Sequence, residues 1–294
     1  MDALHAELVL GNAALTDWEG VPGLKLRFDF LQRAGACPGP LEQWRHGKAL
    51  DASRHVAQAF PNHPSARNNP EWAERELDRL EALGKVSFFP TGAARPTALN
   101  VNPLGLILKE REGVPAEATE FERMKARLIV DLRRGGVNDI LPQMGVSYGS
   151  VETAVSMLSA GAWMYVIDLQ YSFFNWKVAD NDTYLLGFYS NVRLVYGKFD
   201  YLPFGLKPAP GTNDESVKEV IRILREVESV PLLDFVDDFL GYADTEKEAW
   251  ERLRKAVRFF IQCGIPVSTK PTGVRPPPAS GKFGLGGFLI LPDV

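Results

Sequence analysis

Histidine and cysteine are scarce in this chain of 294 residues. Its four histidines, His5, His46, His55 and His63, all fall in the first quarter. A site built from the later residues must therefore work without imidazole, which disfavours a Ser-His-Asp triad or a histidine-rich zinc centre there. Cys37 and Cys263 are the two cysteines, far apart and matching no metal spacing. They point to a reduced, intracellular protein, without separating nucleus, cytoplasm and organelle. No apolar run approaches the length that spans a bilayer. The opening Met1-Asp2-Ala3 shows no basic-then-apolar leader, so no secretory signal is expected. A formal net charge of −4 leaves no global basic footprint, and any nucleic-acid contact must come from local patches. What is present, 45% hydrophobic and 24% charged residues, is the composition of a soluble globular protein. The length allows one large domain or two ordinary ones.

The stretch that stands out is Leu232 to Tyr242, L-L-D-F-V-D-D-F-L-G-Y. A β-branched and aromatic run reads as a buried strand, and the adjacent Asp237 and Asp238 interrupt it as a tight turn between two strands. An isolated Asp-Asp pair is ordinarily a solvated turn. Beside an apolar hairpin, however, two like charges are costly unless a cation neutralises them, and Mg²⁺ prefers such hard oxygens.

Along the chain, residues 1–66 hold short mixed segments with scattered Gly and Pro, and no visible chemistry. Asn69-Pro70 opens a helix with Ala73, Leu77 and Leu80 on one face and Gly84 as its stop, and Val86 to Phe89 reads as a strand. Pro103 to Lys109 and Arg127 to Leu132 are apolar strands with a cation at one end of each. The polar segment between them, Glu110 to Lys125, has no apolar period and predicts a hairpin with a long tip. Lys109 and Arg127 are either ordinary strand-end charges or two cations facing one ligand. A helix is predicted over Ser150 to Ala160, and a strand from Met164 to Trp176 carrying the single carboxylate Asp168. A lone Asp there is usually a strand-end residue, and Phe173 and Phe174 are usually core. Leu194 to Leu206 holds two strand-like pieces and runs into a Pro/Gly loop, and a helix is predicted from about Asn213. Thr245 and Glu248 form a capping box before a long amphipathic helix with Trp250, Leu253, Val257 and Phe260, closed by Gly264. Pro276 to Pro278 reads as a rigid linker and Phe283 to Leu291 as a last strand. The order β-α-β-β-α-β from Met164 to Leu291 predicts an α+β fold, an antiparallel sheet backed by helices.

Six segments in this order resemble reverse transcriptases, and most closely those of DIRS-like (tyrosine-recombinase) retrotransposons. N-P-L-G-L-I-L-K and A-R-L-I-V-D-L-R followed by G-G-V-N-D-I-L-P are similar to their fingers region. V-I-D-L-Q-Y-S-F-F, with Y-L-L-G-F after it, resembles motif A. L-P-F-G-L-K-P-A-P resembles motif B, F-V-D-D-F-L motif C, G-I-P-V-S-T-K motif D and F-G-L-G-G-F-L-I motif E. The resemblance implies a right-hand polymerase, with fingers over 67–145, a palm over 146–294 and residues 1–66 as an extension of unknown role. No thumb or RNase H segment is recognisable.

It also implies RNA-directed DNA polymerase activity. A primer 3′-hydroxyl attacks the α-phosphate of a dNTP, assisted by two Mg²⁺ ions (or Mn²⁺) about 4 Å apart. By this likeness Asp168, Asp237, Asp238 and the carbonyl of Leu169 hold the metals. Lys109 and Arg127 meet the triphosphate, Phe173 is the steric gate beneath the sugar, and Phe204, Gly205 and Pro210 line the nucleotide and template. Lys270 matches a lysine that protonates pyrophosphate, though an exposed loop lysine explains it equally. The implied partners are an RNA or DNA template with its primer, dNTP, and other chains that supply a thumb or a larger complex; no membrane is implied. Three features depart from the pattern: Tyr171 and Trp176 in motif A, a long insertion between Lys109 and Arg127, and G-T-N-D-E-S without an aromatic after motif B. The drift around Tyr171, Trp176 and Asn213, together with no recognisable thumb, motivates a different expectation, a host-adopted relative serving as a non-catalytic structural subunit. The intact acidic trio argues for the enzyme.

Overall fold

The apolar runs of the sequence become short antiparallel strands, and the amphipathic runs become the helices that cover them. The computed structural model describes residues 25–52, 55–110, 114–115, 117–147, 149, 156, 158–159, 161–235, 238–268, 274, 283–285 and 288–290. Its strands are β1 (Val86–Phe88), β2 (Leu104–Glu110), β3 (Met124–Val130), β4 (Trp163–Asp168), β5 (Gly187–Ser190), β6 (Val195–Phe199), β7 (Leu232–Phe235), β8 (Asp238–Ala243), β9 (Phe283–Leu285) and β10 (Phe288–Ile290). Its helices are α1 (Phe28–Arg33), α2 (Pro38–His46), α3 (Pro64–Arg67), α4 (Pro70–Ala82), α5 (Glu120–Arg123), α6 (Val137–Ile140), α7 (Ala209–Glu228) and α8 (Glu246–Cys263). No described helix is long and apolar enough to cross a membrane. The chain divides into two compact units: one of Met1–Arg45, Gly145–Asn175 and Pro210–Val294, the other of His46–Met144 and Trp176–Ala209.

In the first unit β8 lies between β4 and β7 and is antiparallel to both. Side chains alternate across a strand, so Tyr165 and Ile167 of β4 share a face with Phe239 of β8. All three are fully buried, and Phe239 meets Phe260 of α8 with ring centroids 5.4 Å apart. Helix α8 buries Leu253, Ala256, Val257 and Phe260 at helical spacing. Each such side chain contributes about 1.5–3 kcal/mol by leaving water. The Thr245 hydroxyl accepts the Glu248 N–H at 3.3 Å, satisfying one of the orphan donors at the helix start.

Residues 25–45 belong to this unit, where the sequence suggested packing at Trp44 but not against what. Leu31, Leu41 and Trp44 are buried. Phe30 packs edge-on against Phe259, the Arg27 amide donates to the Cys263 carbonyl, and Trp44 Nε1 donates to Ser216 Oγ at 3.0 Å. Further along, the Cys37 amide donates to Glu219, and Arg222 donates to the Gly35 carbonyl.

The second unit holds a sheet in the order β1-β6-β5 and the β2-β3 hairpin. Helix α4 buries Trp72, Leu77 and Leu80. Arg193 clasps that helix, pairing with Glu74, Asp78 and Glu81 while its guanidinium stacks over Phe88. Two fully buried asparagines tie loops together through backbone groups: Asn100 accepts the Gln58 N–H, and Asn102 donates to the carbonyls of Leu185 and Gly187.

Several sequence expectations are corrected. The strand predicted to Trp176 stops at Asp168. The chain turns there, with Tyr171 in the left-handed region at φ 55°, and Ser172–Asn175 forms a 3₁₀ turn. The helix expected from Asn213 begins one turn earlier, at Ala209, because proline at its second position needs no N–H partner. Asn69 does not cap α4; its side-chain amide donates to the Ser65 carbonyl instead. The long tip of the β2-β3 hairpin contains α5, closed by a reciprocal Thr119–Glu122 capping box. Of the two strand-like pieces in Leu194 to Leu206 only β6 forms a strand. The last strand is two short antiparallel ones, β9 and β10, flanking Gly286 and Gly287. The helix predicted over Ser150 to Ala160 lies mostly outside the described residues, as does the Pro276 to Pro278 linker.

Candidate active site

The β4-β8 register sets Asp168 directly opposite Asp238. Directly opposed residues on antiparallel neighbours project from the same face with Cβ atoms about 5 Å apart. Asp168 and Asp238 are thus brought together, half-buried, on the face opposite Tyr165, Ile167 and Phe239. That face is otherwise apolar: Met164 and Leu240 form its buried centre, with Leu158, Val166, Leu233 and Tyr242 packed around them. On the face packed against α8, burial pushes the Tyr165 phenol far above its ordinary value, so this hydroxyl stays protonated. Asp237 and Lys270 lie outside the described residues.

A second segment pins the other edge of β4. Leu169 forms an antiparallel bridge with Val267, flanked by Ser268 N–H to Asp168 O at 2.7 Å and Gln170 N–H to Pro266 O at 2.9 Å. The backbone on both sides of Leu169 is therefore fixed. Beyond it, the 3₁₀ turn buries Ser172, Phe174 and Asn175 and leaves Phe173 half-exposed. The turn is tied back twice, by Asn175 Nδ2 to Gln170 O at 3.1 Å and by Ser172 Oγ to Asn213 Oδ1 of α7 at 2.9 Å. Pro210 stands in the first turn of α7.

The remaining candidates belong to the second unit. Along the β2-β3 hairpin Lys109 pairs with Lys125 and Ile107 with Arg127, which puts all four on one exposed face. Lys125 was not singled out from the sequence, where it read only as the end of a polar tip; its cross-strand position is what joins it to Lys109 and Arg127. Lys109, Lys125 and Arg127 thus gather positive charge on this exposed face. The Arg127 guanidinium lies over the Phe204 ring, 5.5 Å from its centroid. Next to it Gly205 has φ 98°, and a Cβ there would stand 2.7 Å from the Val130 carbonyl oxygen, so glycine is required on both counts. Asn138 clamps this loop, donating to Gly205 O at 2.8 Å and accepting the Lys207 N–H at 2.9 Å.

Among the described residues no group of three or more His, Cys, Asp or Glu could hold a metal ion. Asp168 and Asp238 are the two described members of the acidic set. Their donor chemistry, hard carboxylate oxygens on one half-buried face, is the kind that takes Mg²⁺.

No family model matches the sequence, and no curated protein matches it. Solved structures do match. The native protease-reverse transcriptase of prototype foamy virus aligns with a TM-score of 0.56 at 15% identity, covering 86% of this chain and 34% of that one. A foamy viral protease-reverse transcriptase in complex with double-stranded DNA aligns with a TM-score of 0.59 at 17% identity, covering 90% of this chain and 46% of that one. The chain thus spans less than half the length of either structure. With its antiparallel sheets, its helices and its opposed aspartates, it has a reverse-transcriptase-like fold.

Proposed function

We propose that this chain is the catalytic core of an RNA-directed DNA polymerase from a DIRS-like retroelement, with a palm in the first unit and fingers in the second. The observation that carries the reading is the register pairing of Asp168 with Asp238 in a reverse-transcriptase-like fold. Two half-buried like charges facing each other on an apolar sheet face favour a cation between them. Asp168 and Asp238, with Asp237 and the Leu169 carbonyl, would hold two divalent ions, Mg²⁺ or Mn²⁺. When bound, such ions lower the pKa of the primer hydroxyl and stabilise the leaving pyrophosphate oxygen.

The protein's own residues then bind and orient. Lys109, Lys125 and Arg127 supply positive charge for a triphosphate, and the planar fork of Arg127 is held by Phe204. Phe173 presents a bulky ring to the sugar and favours deoxynucleotides. Gly205 and Pro210 shape the loop and helix start beside the template. Lys270 is the candidate proton donor to pyrophosphate. The substrates are dNTP and a primer on an RNA or DNA template, and a thumb is contributed by further polypeptide, in cis or in trans.

Primer extension on an RNA template with Mg²⁺ tests the reading. Wild type is expected to extend the primer. Asp168→Asn and Asp238→Asn are each expected to lower the rate at least about a thousandfold, the scale on which removing one element of charge stabilisation acts. A wild type inert on every primer-template, or an Asp238→Asn variant of undiminished rate, would overturn it and favour a non-catalytic structural subunit.

A further inference from the structure

Two segments that depart from the reverse-transcriptase pattern, the one around Tyr171 in motif A and G-T-N-D-E-S after motif B, meet in space. Ser172 lies four residues beyond Asp168 and Asn213 lies in the second turn of α7, yet Ser172 Oγ donates to Asn213 Oδ1 at 2.9 Å. Both residues are at least 97% buried. A buried polar pair is retained at a cost unless it is satisfied, and once satisfied it fixes geometry more sharply than apolar contact does. Here it fixes a short and unusual segment. The backbone just before it is in the left-handed region at Tyr171, a conformation a non-glycine residue holds only when its surroundings enforce it. Asn175 closes the same turn onto Gln170. Within the 3₁₀ turn only Phe173 is not buried, and it stands between two residues whose side chains are tied down.

We infer that Asn213 and Ser172 are positioning residues for Phe173, and that their hydrogen bond sets how sharply the protein discriminates deoxy- from ribonucleotides. This rests on the polymerase reading above, and it extends that reading from the gate to what holds the gate. Sugar selection by a ring depends on where the ring stands to within a fraction of an ångström, because a 2′-hydroxyl adds one small atom. Loss of the Ser172–Asn213 bond lets the turn relax, and Phe173 withdraws without any change in its own chemistry.

The test is single-nucleotide addition by the full chain on a primer-template with Mg²⁺, comparing dATP and ATP as kcat/KM. Ser172→Ala and Asn213→Ala are each expected to raise the use of ATP relative to dATP about 5- to 10-fold, the scale of one lost hydrogen bond. The change is expected mainly in the KM for ATP. Ser172→Thr keeps the hydroxyl and is expected to discriminate as wild type does. In a Phe173→Ala background Ser172→Ala is expected to add nothing, since a positioning residue has no effect once the residue it positions is gone. Should Asn213→Ala fail to fold, Ser172→Ala with its threonine control carries the comparison. A wild type that adds dATP while Ser172→Ala keeps wild-type discrimination overturns this inference alone. An effect that persists undiminished without the Phe173 ring overturns it as well. A wild type that adds no dATP overturns the polymerase reading, and this inference with it.

Discussion

Glu219→Gln offers a perturbation whose size follows from the structure. Glu219 Oε1 accepts the Cys37 amide at 2.7 Å and Arg222 Nη2 at 2.8 Å, while Oε2 accepts Arg222 Nε at 2.9 Å. The Arg222 hydrogen bonds outweigh the opposing effect of burial, and with the Cys37 amide they hold the carboxyl down at about 2, against 4.5 for an ordinary glutamate. A carboxylate depressed on folding stabilises the fold fully above its unfolded value. That contribution is lost as the pH falls from about 4.5 toward 2. At about 1.4 kcal/mol per tenfold change in acidity, the gap caps the contribution near ~3 kcal/mol. The Arg222 side chain is 35% exposed, so solvent screening reduces the expected value to about 1–2 kcal/mol. Urea unfolding between pH 3 and pH 8 measures it. Glu219→Gln is expected to be less stable than wild type by that amount at pH 7. The gap between the two curves should narrow from pH 4.5 down to pH 3 and would close only below about pH 2, because wild type gains a proton over that range and the neutral amide does not. Curves that run parallel across the whole range, or coincide at pH 7, would show that Glu219 does not tie the 35–37 loop to α7 through its charge.

Two further outcomes follow from buried groups. A Cβ at Gly241 would overlap the Tyr165 ring, which is fully buried and cannot swing aside, so Gly241→Ala is expected to cost about 1–3 kcal/mol in thermal melting. Primer extension should fall with it, since this contact helps hold the register that opposes Asp168 to Asp238. Tyr165→Phe should be neutral or stabilising by about 1 kcal/mol, because the Tyr165 hydroxyl is buried without a hydrogen-bond partner among the described residues. With a thiol reagent, native protein should react at the exposed Cys37 alone. Cys263 is buried, and burial raises its thiol well above the usual value, so it should react only after unfolding.

Local pattern carried much of this architecture, and distance along the chain explains what it missed. The β7 and β8 runs, the hairpin strands, and the capped helix from Thr245 were legible because each is specified by its own periodicity and its own stop signals. The early end of β4 was not. The run from Tyr165 to Phe174 is continuously β-prone, and the left-handed Tyr171 that ends it adjoins a turn bonded to α7, some 40 residues on. In residues 25–45 Trp44 suggested packing but not its partner, which lies 172 residues away. The grouping of residues 176–209 with 46–144 is equally invisible in a linear reading.

At the site, residue types were readable but pairings were not. An acidic residue after a strand and an Asp-Asp turn are both visible as motifs. Their opposition is a matter of register, and a shift of one residue would put Asp168 across from Phe239 and turn one of the two carboxylates to the other face. Lys125 entered only through its cross-strand pairing with Lys109, and Asn213 only through Ser172. Asn213 looked like a defect in motif B when read against an aromatic. Beside a serine hydroxyl it is an acceptor that ties the turn to α7. Departures from a family pattern are therefore better tested in pairs than singly, because a buried polar residue is stable only with its counterpart.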